Sequence, residues 1–174
     1  MTAPVEIATA RFLLRPLTEH DVTERYLGWL RDAESRKFII AAARTEGLLD
    51  LEQYVRDRSG RDDIFFLGIF EKTNGLHIGN IKYEPVNSVL GYAIMGILIG
   101  EPDWRGKGVA AEVLAATAKW LHQHRNIREI ALGVDRTNIA AIGAYSKVGF
   151  VEESTDFIPD VLPQHMAMVW HLDP

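Results

Sequence analysis

The chain has 174 residues, 47% of them apolar, with 19 basic against 24 acidic side chains and a net charge of −5. That length fits one domain over residues 1–174 with a sizeable core, and the acidic balance excludes general nucleic-acid binding, which wants a basic face. The absence of cysteine excludes disulfides, thiolate metal sites and a cysteine nucleophile. No apolar run is long and clean enough to span a bilayer. The first ten residues lack the basic start and apolar core of a signal peptide, so no membrane association and a cytoplasmic location are expected.

Arg11-Phe12-Leu13-Leu14-Arg15 reads as a first strand that Pro16 ends. Thr18 with Asp21 matches a capping box and predicts a helix over 18–30, with Tyr26, Leu27, Trp29 and Leu30 on its apolar side. Residues 31–43 fit neither template. Thr45 is a candidate cap for a second helix over 48–58, with Leu48, Leu51 and Val55 on one face. A meander follows: a strand over 64–70, a hairpin turn at Thr73-Asn74-Gly75, and a strand over 77–83 with Gly79 inside it. Residues 85–88 read as a loop, and 90–99 as a longer strand.

Next comes the stretch around which the chain is organised, Trp104-Arg105-Gly106-Lys107-Gly108-Val109-Ala110-Ala111. A buried strand feeds a glycine-containing turn, and the turn feeds a helix over 109–121. The first N–H groups of such a helix have no partner inside it, and its dipole puts partial positive charge there. Two glycines admit a ligand close to the backbone, and Arg105 and Lys107 add full charges. This predicts a cradle for phosphate or diphosphate. A Walker A loop needs Gly six residues before the Lys and Ser or Thr after it; Glu101 and Gly108 stand there, so that reading fails. Gly106-x-Gly108-x-x-Ala111, with Glu129 downstream, fits a dinucleotide fingerprint, although that fingerprint usually opens its domain. Arg105-x-x-Gly108-x-Ala110 also fits a coenzyme A pyrophosphate loop. The plainest reading is a basic helix start with no ligand.

Val109, Val113, Ala116 and Trp120 form a helical stripe, read as core. His122 and His124 suit the helix C-terminus better than a metal site, and no metal is expected. A strand over 129–134 leads to a helix from Asn138 to Lys147, which Gly149 ends. A strand over 150–152, a loop over 154–163 and a last strand over 165–172 complete the chain. Antiparallel strands followed by strand–helix–strand–helix indicate an α/β (α+β) fold on a mixed sheet.

The second motif is Asn138-x-x-Ala141-Ile142-x-x-Tyr145-x-Lys147-x-Gly149-Phe150. With Arg105-x-x-Gly108-x-Ala110 upstream, it resembles the paired signatures of the GNAT superfamily of N-acetyltransferases, over essentially the whole chain. The resemblance implies a mostly antiparallel central sheet of about six to seven strands, flanked by helices and splayed at an acetyl-CoA cleft. It also implies that backbone groups of Ile97 and Ile99 pair with pantetheine. The N–H groups of Arg105, Gly106, Lys107, Gly108, Val109 and Ala110 would hold the pyrophosphate. Asn138 matches the position that contacts the pantetheine arm, Lys147 belongs to the same signature, and Tyr145 matches the residue beside the thioester sulfur.

Chemistry points the same way for Tyr145. A departing thiolate gains from a proton donor, and a phenol with pKa ~10 stays protonated at neutral pH. Each residue also has an ordinary structural role open to it: a packed aromatic for Tyr145, a helix cap for Asn138. No motif marks the general base. Glu84, Asp135 and His77 lie near strand ends, each with a surface or turn role as the alternative, and a water chain or desolvation of the amine could also serve.

Arg15-Pro16-Leu17, Tyr26-Leu27-x-Trp29-Leu30 and Ile78-Gly79-Asn80-Ile81-Lys82 resemble the branch that holds ribosomal-protein N-terminal acetyltransferases and amino-sugar-nucleotide acetyltransferases. Tyr26-Leu27-Gly28-Trp29-Leu30 and Met95-Gly96-Ile97-Leu98-Ile99-Gly100 are more similar to the sugar group. Trp29 and Tyr83 could stack on a sugar or base, or simply pack in the core, and Glu84 is grouped with them as substrate-binding. The expectation is direct acetyl transfer from acetyl-CoA to a primary amine, on an amino-sugar nucleotide or else on a protein N-terminus. The contrasting expectation is a non-catalytic acyl-CoA-binding module, which need not keep Tyr145. A homodimer through an exposed strand edge is the expected form of any self-association.

Overall fold

The structure, a computed structural model, describes residues 5–33 and 45–173. In chain order the elements are β1 (Ile7–Ala8), β2 (Phe12–Pro16), a 3-10 turn (Glu19–Asp21), α1 (Glu24–Arg31) and α2 (Leu48–Arg58). Then come β3 (Phe65–Glu71), β4 (His77–Asn87), β5 (Tyr92–Ile99), a second 3-10 turn (Pro102–Trp104) and α3 (Val109–Arg125). The chain ends with β6 (Glu129–Asp135), α4 (Ile139–Val148), β7 (Val151–Glu152) and β8 (His165–His171). The strands form one eight-stranded sheet in the order β1-β2-β3-β4-β5-β6-β8-β7. Its pairs are antiparallel except β5 with β6. The strand beyond the expected count is β1, whose two residues are too short to show a periodicity.

Three local expectations are corrected. The helix expected over 18–30 is broken at Val22. Asp21 is drawn to Arg15 at 2.8 Å and accepts from the N–H of Thr18 at 2.7 Å, so the box closes only a 3-10 turn. Thr23 then caps α1, its hydroxyl accepting from the N–H of Tyr26 at 3.2 Å. Thr45 is not the cap of α2. That position is Gly47, and Asp50 accepts from the N–H groups of Glu46 and Gly47. The loop expected over 85–88 is mostly strand. The β4–β5 register slips between Tyr83 and Val86, a bulge that seats Pro85, which has no N–H for the ladder. Pairing resumes at Val86 with Ala93. Of the ambiguous stretch 31–43, residues 34–43 lie outside the described residues.

The sheet separates two apolar cores. On one face α3 contributes Val109, Val113, Leu114, Ala118 and Leu121, with α4 packed alongside through Ile142, Tyr145 and Val148. On the other face α1 and α2 contribute Tyr26, Leu27, Trp29, Leu30, Leu51 and Val55, against Leu17 and Phe70. Each wholly buried Leu or Ile adds roughly 1.5–3 kcal/mol to the burial term.

What positions the site is a failure of pairing. β5 and β6 run together only from Tyr92 to Ile94, opposite Glu129 to Ala131. Past that point β5 stays paired with β4 on one side, and β6 with β8 on the other. The sheet therefore opens between β5 and β6 and, among the described residues, leaves the β5 edge without a neighbouring strand. On the α2 face, Gly96 and Gly133 follow the last parallel pair by two residues on each strand. Both are exposed, and no atom of the described residues lies within 4 Å of a Cβ placed on either.

Candidate active site

The backbone of β5 is aimed at this opening. The N–H of Gly100 donates to the carbonyl of Ile78 on β4 at 2.8 Å. Alternation along a strand then turns the N–H and C=O groups of Ile99 and Ile97 the other way, toward the cleft. The Ile99 carbonyl already accepts from Arg105 Nε at 3.1 Å.

The turn after β5 is shaped by two left-handed residues, Gly106 with φ 71° and Gly108 with φ 76°. Only glycine adopts that conformation without steric cost. The conformation points successive N–H groups outward: no acceptor among the described residues takes a hydrogen bond from Gly106, Lys107 or Gly108. Gly108 is also the N-cap of α3 and has no side chain to cap with. The free first-turn N–H groups of α3, at Val109 and Ala110, extend the row. Arg105 folds back over the strand end, donating to the carbonyls of Ile99 and Gly100 and lying 3.6 Å from Asp32. Lys107 is exposed. These groups suit a diphosphate: several free donors, a helix N-terminus and cationic side chains at one turn.

A clamp absent from the sequence reading holds this turn. Arg11 donates from its backbone N–H and its Nε to the two carboxylate oxygens of Glu112 at 2.8 and 2.7 Å. Its Nη2 donates to the carbonyl of Lys107 at 3.0 Å. One arginine thus ties β2 to both the turn and the first turn of α3. Burial pushes the Glu112 carboxyl upward, and the Arg11 contacts more than offset that, leaving it below the usual carboxylate range. The pair is 101 residues apart in sequence, and no local pattern could have revealed it.

Asn138 caps α4, its side-chain oxygen accepting from the N–H of Ala141 at 3.3 Å; its amide nitrogen remains available to a ligand. Two turns on, Tyr145 packs its ring against the main core and lies 5.8 Å from the Phe150 ring. Its hydroxyl bonds to no group among the described residues, yet it is not sealed off inside the protein. Burial pushes the phenol up to about 12, so the proton stays on at neutral pH. Lys147 is exposed and stands about 200° around the helix from Tyr145.

The three residues expected at the acceptor have other employment. Tyr83 is wholly buried, its hydroxyl 2.7 Å from that of Thr117, and no face of its ring is open for stacking. Trp29 is 5% exposed and donates from its indole to Glu101 at 3.0 Å. A Cβ on Gly100 would lie 2.0 Å from that ring, so Trp29 pins α1 to the end of β5. Glu84 pairs with both Lys82 and Arg58 at 3.0 Å. Burial raises its pKa, but the two cations more than reverse that and keep it below its ordinary value, which makes it a weak base.

The other two base candidates are also engaged. His77 is boxed by Phe70, Trp29 and Tyr26. Its Nε2 lies 2.7 Å from the side-chain oxygen of Asn80, and burial lowers its pKa. Asp135 accepts from the N–H and hydroxyl of Thr137 in the turn before α4. His122 and His124 each donate from Nδ1 to a backbone carbonyl at the end of α3, of Ile127 and Trp120 respectively.

A splayed sheet with a donor-lined turn at its open edge defines an acyl-CoA-dependent transferase, and comparison with known proteins gives the family. The acetyltransferase (GNAT) domain model matches residues 11–151. The chain therefore belongs to the GNAT acetyltransferase family: it is an N-acetyltransferase with acetyl-CoA as co-substrate. No curated protein matches the sequence significantly. Among solved structures, the fold is similar to RimL, a ribosomal L7/L12 α-N-protein acetyltransferase in complex with coenzyme A. The TM-score is 0.83 at 14% identity, covering 97% of this chain and 99% of that one. It is similar to a spermidine N-acetyltransferase SpeG chimera from Vibrio cholerae and hSSAT, with TM-score 0.76, 19% identity and coverage of 93% and 96%. It is also similar to the aminoglycoside acetyltransferase AAC(6')-Ib, with TM-score 0.72, 22% identity and coverage of 91% and 92%. No helix among the described residues is long and apolar enough to cross a membrane.

Proposed function

We propose that the chain, acting as one domain, transfers an acetyl group directly to the primary amine of a small molecule, with Tyr145 as the proton donor. The observation that carries this reading is the placement of the Tyr145 hydroxyl, unpartnered among the described residues and not sealed off inside the protein, while burial raises its pKa to about 12. Acetyl-CoA supplies an activated acyl group on a thiol leaving group. The chain's residues do the rest. The N–H groups from Gly106 to Ala110 bind the diphosphate. The open edge at Ile97 and Ile99 orients the pantetheine arm, joined by the amide nitrogen of Asn138. Tyr145 holds a proton at its hydroxyl oxygen and gives it to the departing sulfur. The engaged state of Glu84, His77 and Asp135 favours a water molecule as the carrier of the amine's proton.

For the acceptor, the sequence phrases favour an amino sugar carried on a nucleotide over a protein N-terminus. Stacking by Trp29 and Tyr83 no longer supports that choice, since both rings are enclosed. The test is CoA release, corrected for hydrolysis, on amino-sugar nucleotides, alanine- or serine-starting peptides, spermidine and an aminoglycoside. Two-substrate plots on the responding amine should intersect. Parallel lines, or an acetylated residue formed at a competent rate, would refute direct transfer. CoA binding without turnover on any amine would favour a non-catalytic acyl-CoA-binding module.

A further inference from the structure

Beside the open floor at Gly96 lies a side-chain cluster that the acetyl-CoA site does not use. Lys82 is the cross-strand partner of Gly96, so its side chain leaves the sheet on the same face as the empty space above that glycine. Lys82 Nζ donates to the hydroxyl oxygen of Tyr54, on α2, at 2.7 Å. Arg58, one turn further along α2, lies over the Tyr54 ring at 3.7 Å. Lys82 and Arg58 both contact the same carboxylate oxygen of Glu84, each at 3.0 Å.

Two features of this cluster call for a ligand. The first is charge. Elsewhere on this face Arg15 is paired with Asp21 at 2.8 Å and Arg25 with Glu101 at 2.9 Å, one carboxylate to one guanidinium. Here two cations share one carboxylate, which leaves one positive charge uncancelled among the described residues. The second is hydrogen-bond direction. Because the Tyr54 oxygen accepts from Lys82, its own O–H proton is free to donate, and no acceptor for it stands among the described residues. Lysine and arginine carry donors and no acceptors. The cluster is partly desolvated, with side-chain exposures of 22% for Arg58 and 26% for Lys82, so its donors are stronger than on an open surface yet can still be reached.

We infer that the acceptor carries a negatively charged group alongside its amine, and that Lys82, Arg58 and Tyr54 bind that group above the bare floor of Gly96 and Gly133. This rests on the acetyltransferase reading above and narrows its substrate class to amines bearing a phosphate or carboxylate. A polycationic amine meets repulsion at the same place.

The experiment compares an amino sugar in three forms: the anomeric phosphate, a uronate of the same sugar, and the neutral methyl glycoside. Each is assayed with wild-type protein, Lys82→Met and Tyr54→Phe. Lys82→Met should raise KM for the charged form roughly 10- to 100-fold, the range for losing a hydrogen bond to a charged group. Tyr54→Phe should raise it less, and KM for the methyl glycoside and for acetyl-CoA should stay within about 2-fold. The charged form with the lower wild-type KM identifies the anion recognised. Equal losses on charged and neutral forms would overturn the proposal, as would a wild-type preference for spermidine over every anionic amine. Calorimetric binding of the anomeric phosphate and the uronate separates this proposal from the catalytic one. Charge-dependent binding without turnover would reject acetyl transfer to that amine and leave the anion site standing. No binding of either charged form would reject the anion site.

Discussion

The two sides of the cleft are built from different material. The side proposed for the coenzyme is backbone: outward N–H groups at Gly106 to Ala110, the strand edge at Ile97 and Ile99, and a helix start. The side proposed for the acceptor is side chain: Lys82, Arg58, Tyr54 and Glu84, brought together by the packing of α2 on β4. A backbone site is set by φ and ψ, so it constrains which residues can fold into it and ignores most of what they display. A side-chain site is set by what is displayed, and can change while the fold stays constant.

The largest effect on coenzyme binding should come from a substitution that disturbs the backbone half. Gly108→Val forces a β-branched residue into φ 76°, at a cost of about 1–3 kcal/mol. It should weaken CoA binding tenfold or more while leaving binding of pantetheine, which lacks the diphosphate, little changed. Lys107→Ala, one residue away and exposed, should cost only a few-fold. If Lys107→Ala proves as damaging as Gly108→Val, the site is not backbone-built.

A middle-sized effect should follow from loosening the clamp. Arg11→Met removes the side-chain bonds to Glu112 and Lys107, worth about 1–1.5 kcal/mol in placing the turn. KM for acetyl-CoA should rise about 5- to 10-fold, with KM for the amine unchanged. A rise in the amine KM alone would show that the clamp serves the other half.

The smallest effect lies far from both halves. His171 bonds to Glu153 at 2.8 Å and lies 3.0 Å from Glu129, contacts that raise its pKa. The imidazolium is therefore favoured in the folded chain. Its stabilisation is fully present below about pH 6.5, the unfolded value, and is lost as pH rises through the higher folded value. Because His171 is 52% exposed, solvent screens the pair. His171→Gln should lower the melting temperature by about 1–2 °C near pH ~5.5 and not at all near pH ~9. A larger loss at high pH would reverse the sign and reject the ion pair.

The same division explains what could be read in the sequence. Gly106 and Gly108 announce a backbone conformation, which the structure shows, and Asn138 to Phe150 is one contiguous motif, so the half proposed for the coenzyme could be proposed from the sequence alone. The strand meander and the helices over 48–58 and 109–121, whose patterns are long, were legible. The acceptor half was not. Arg58 and Glu84 are 26 residues apart, and Tyr54 and Lys82 are 28; no spacing rule joins residues whose meeting depends on one helix crossing a sheet. Trp29 and Tyr83 drew notice as aromatics, but a ring on the apolar side of a helix or strand is claimed first by the core. The break in the first helix was hidden because Thr18 and Thr23 are both competent caps, and the choice is made by Arg15, a residue of β2.

The central claim is that a backbone-held coenzyme is paired with a proton donor at Tyr145, and one substitution addresses it most directly. Tyr145→Phe keeps the ring that packs against the core and removes only the hydroxyl. CoA release is measured in a single turnover, with acetyl-CoA and a responding amine both saturating. The account predicts a rate lower by roughly 10²-fold or more, with acetyl-CoA affinity unchanged. An undiminished rate, with chemistry shown to be the slow step, would contradict it.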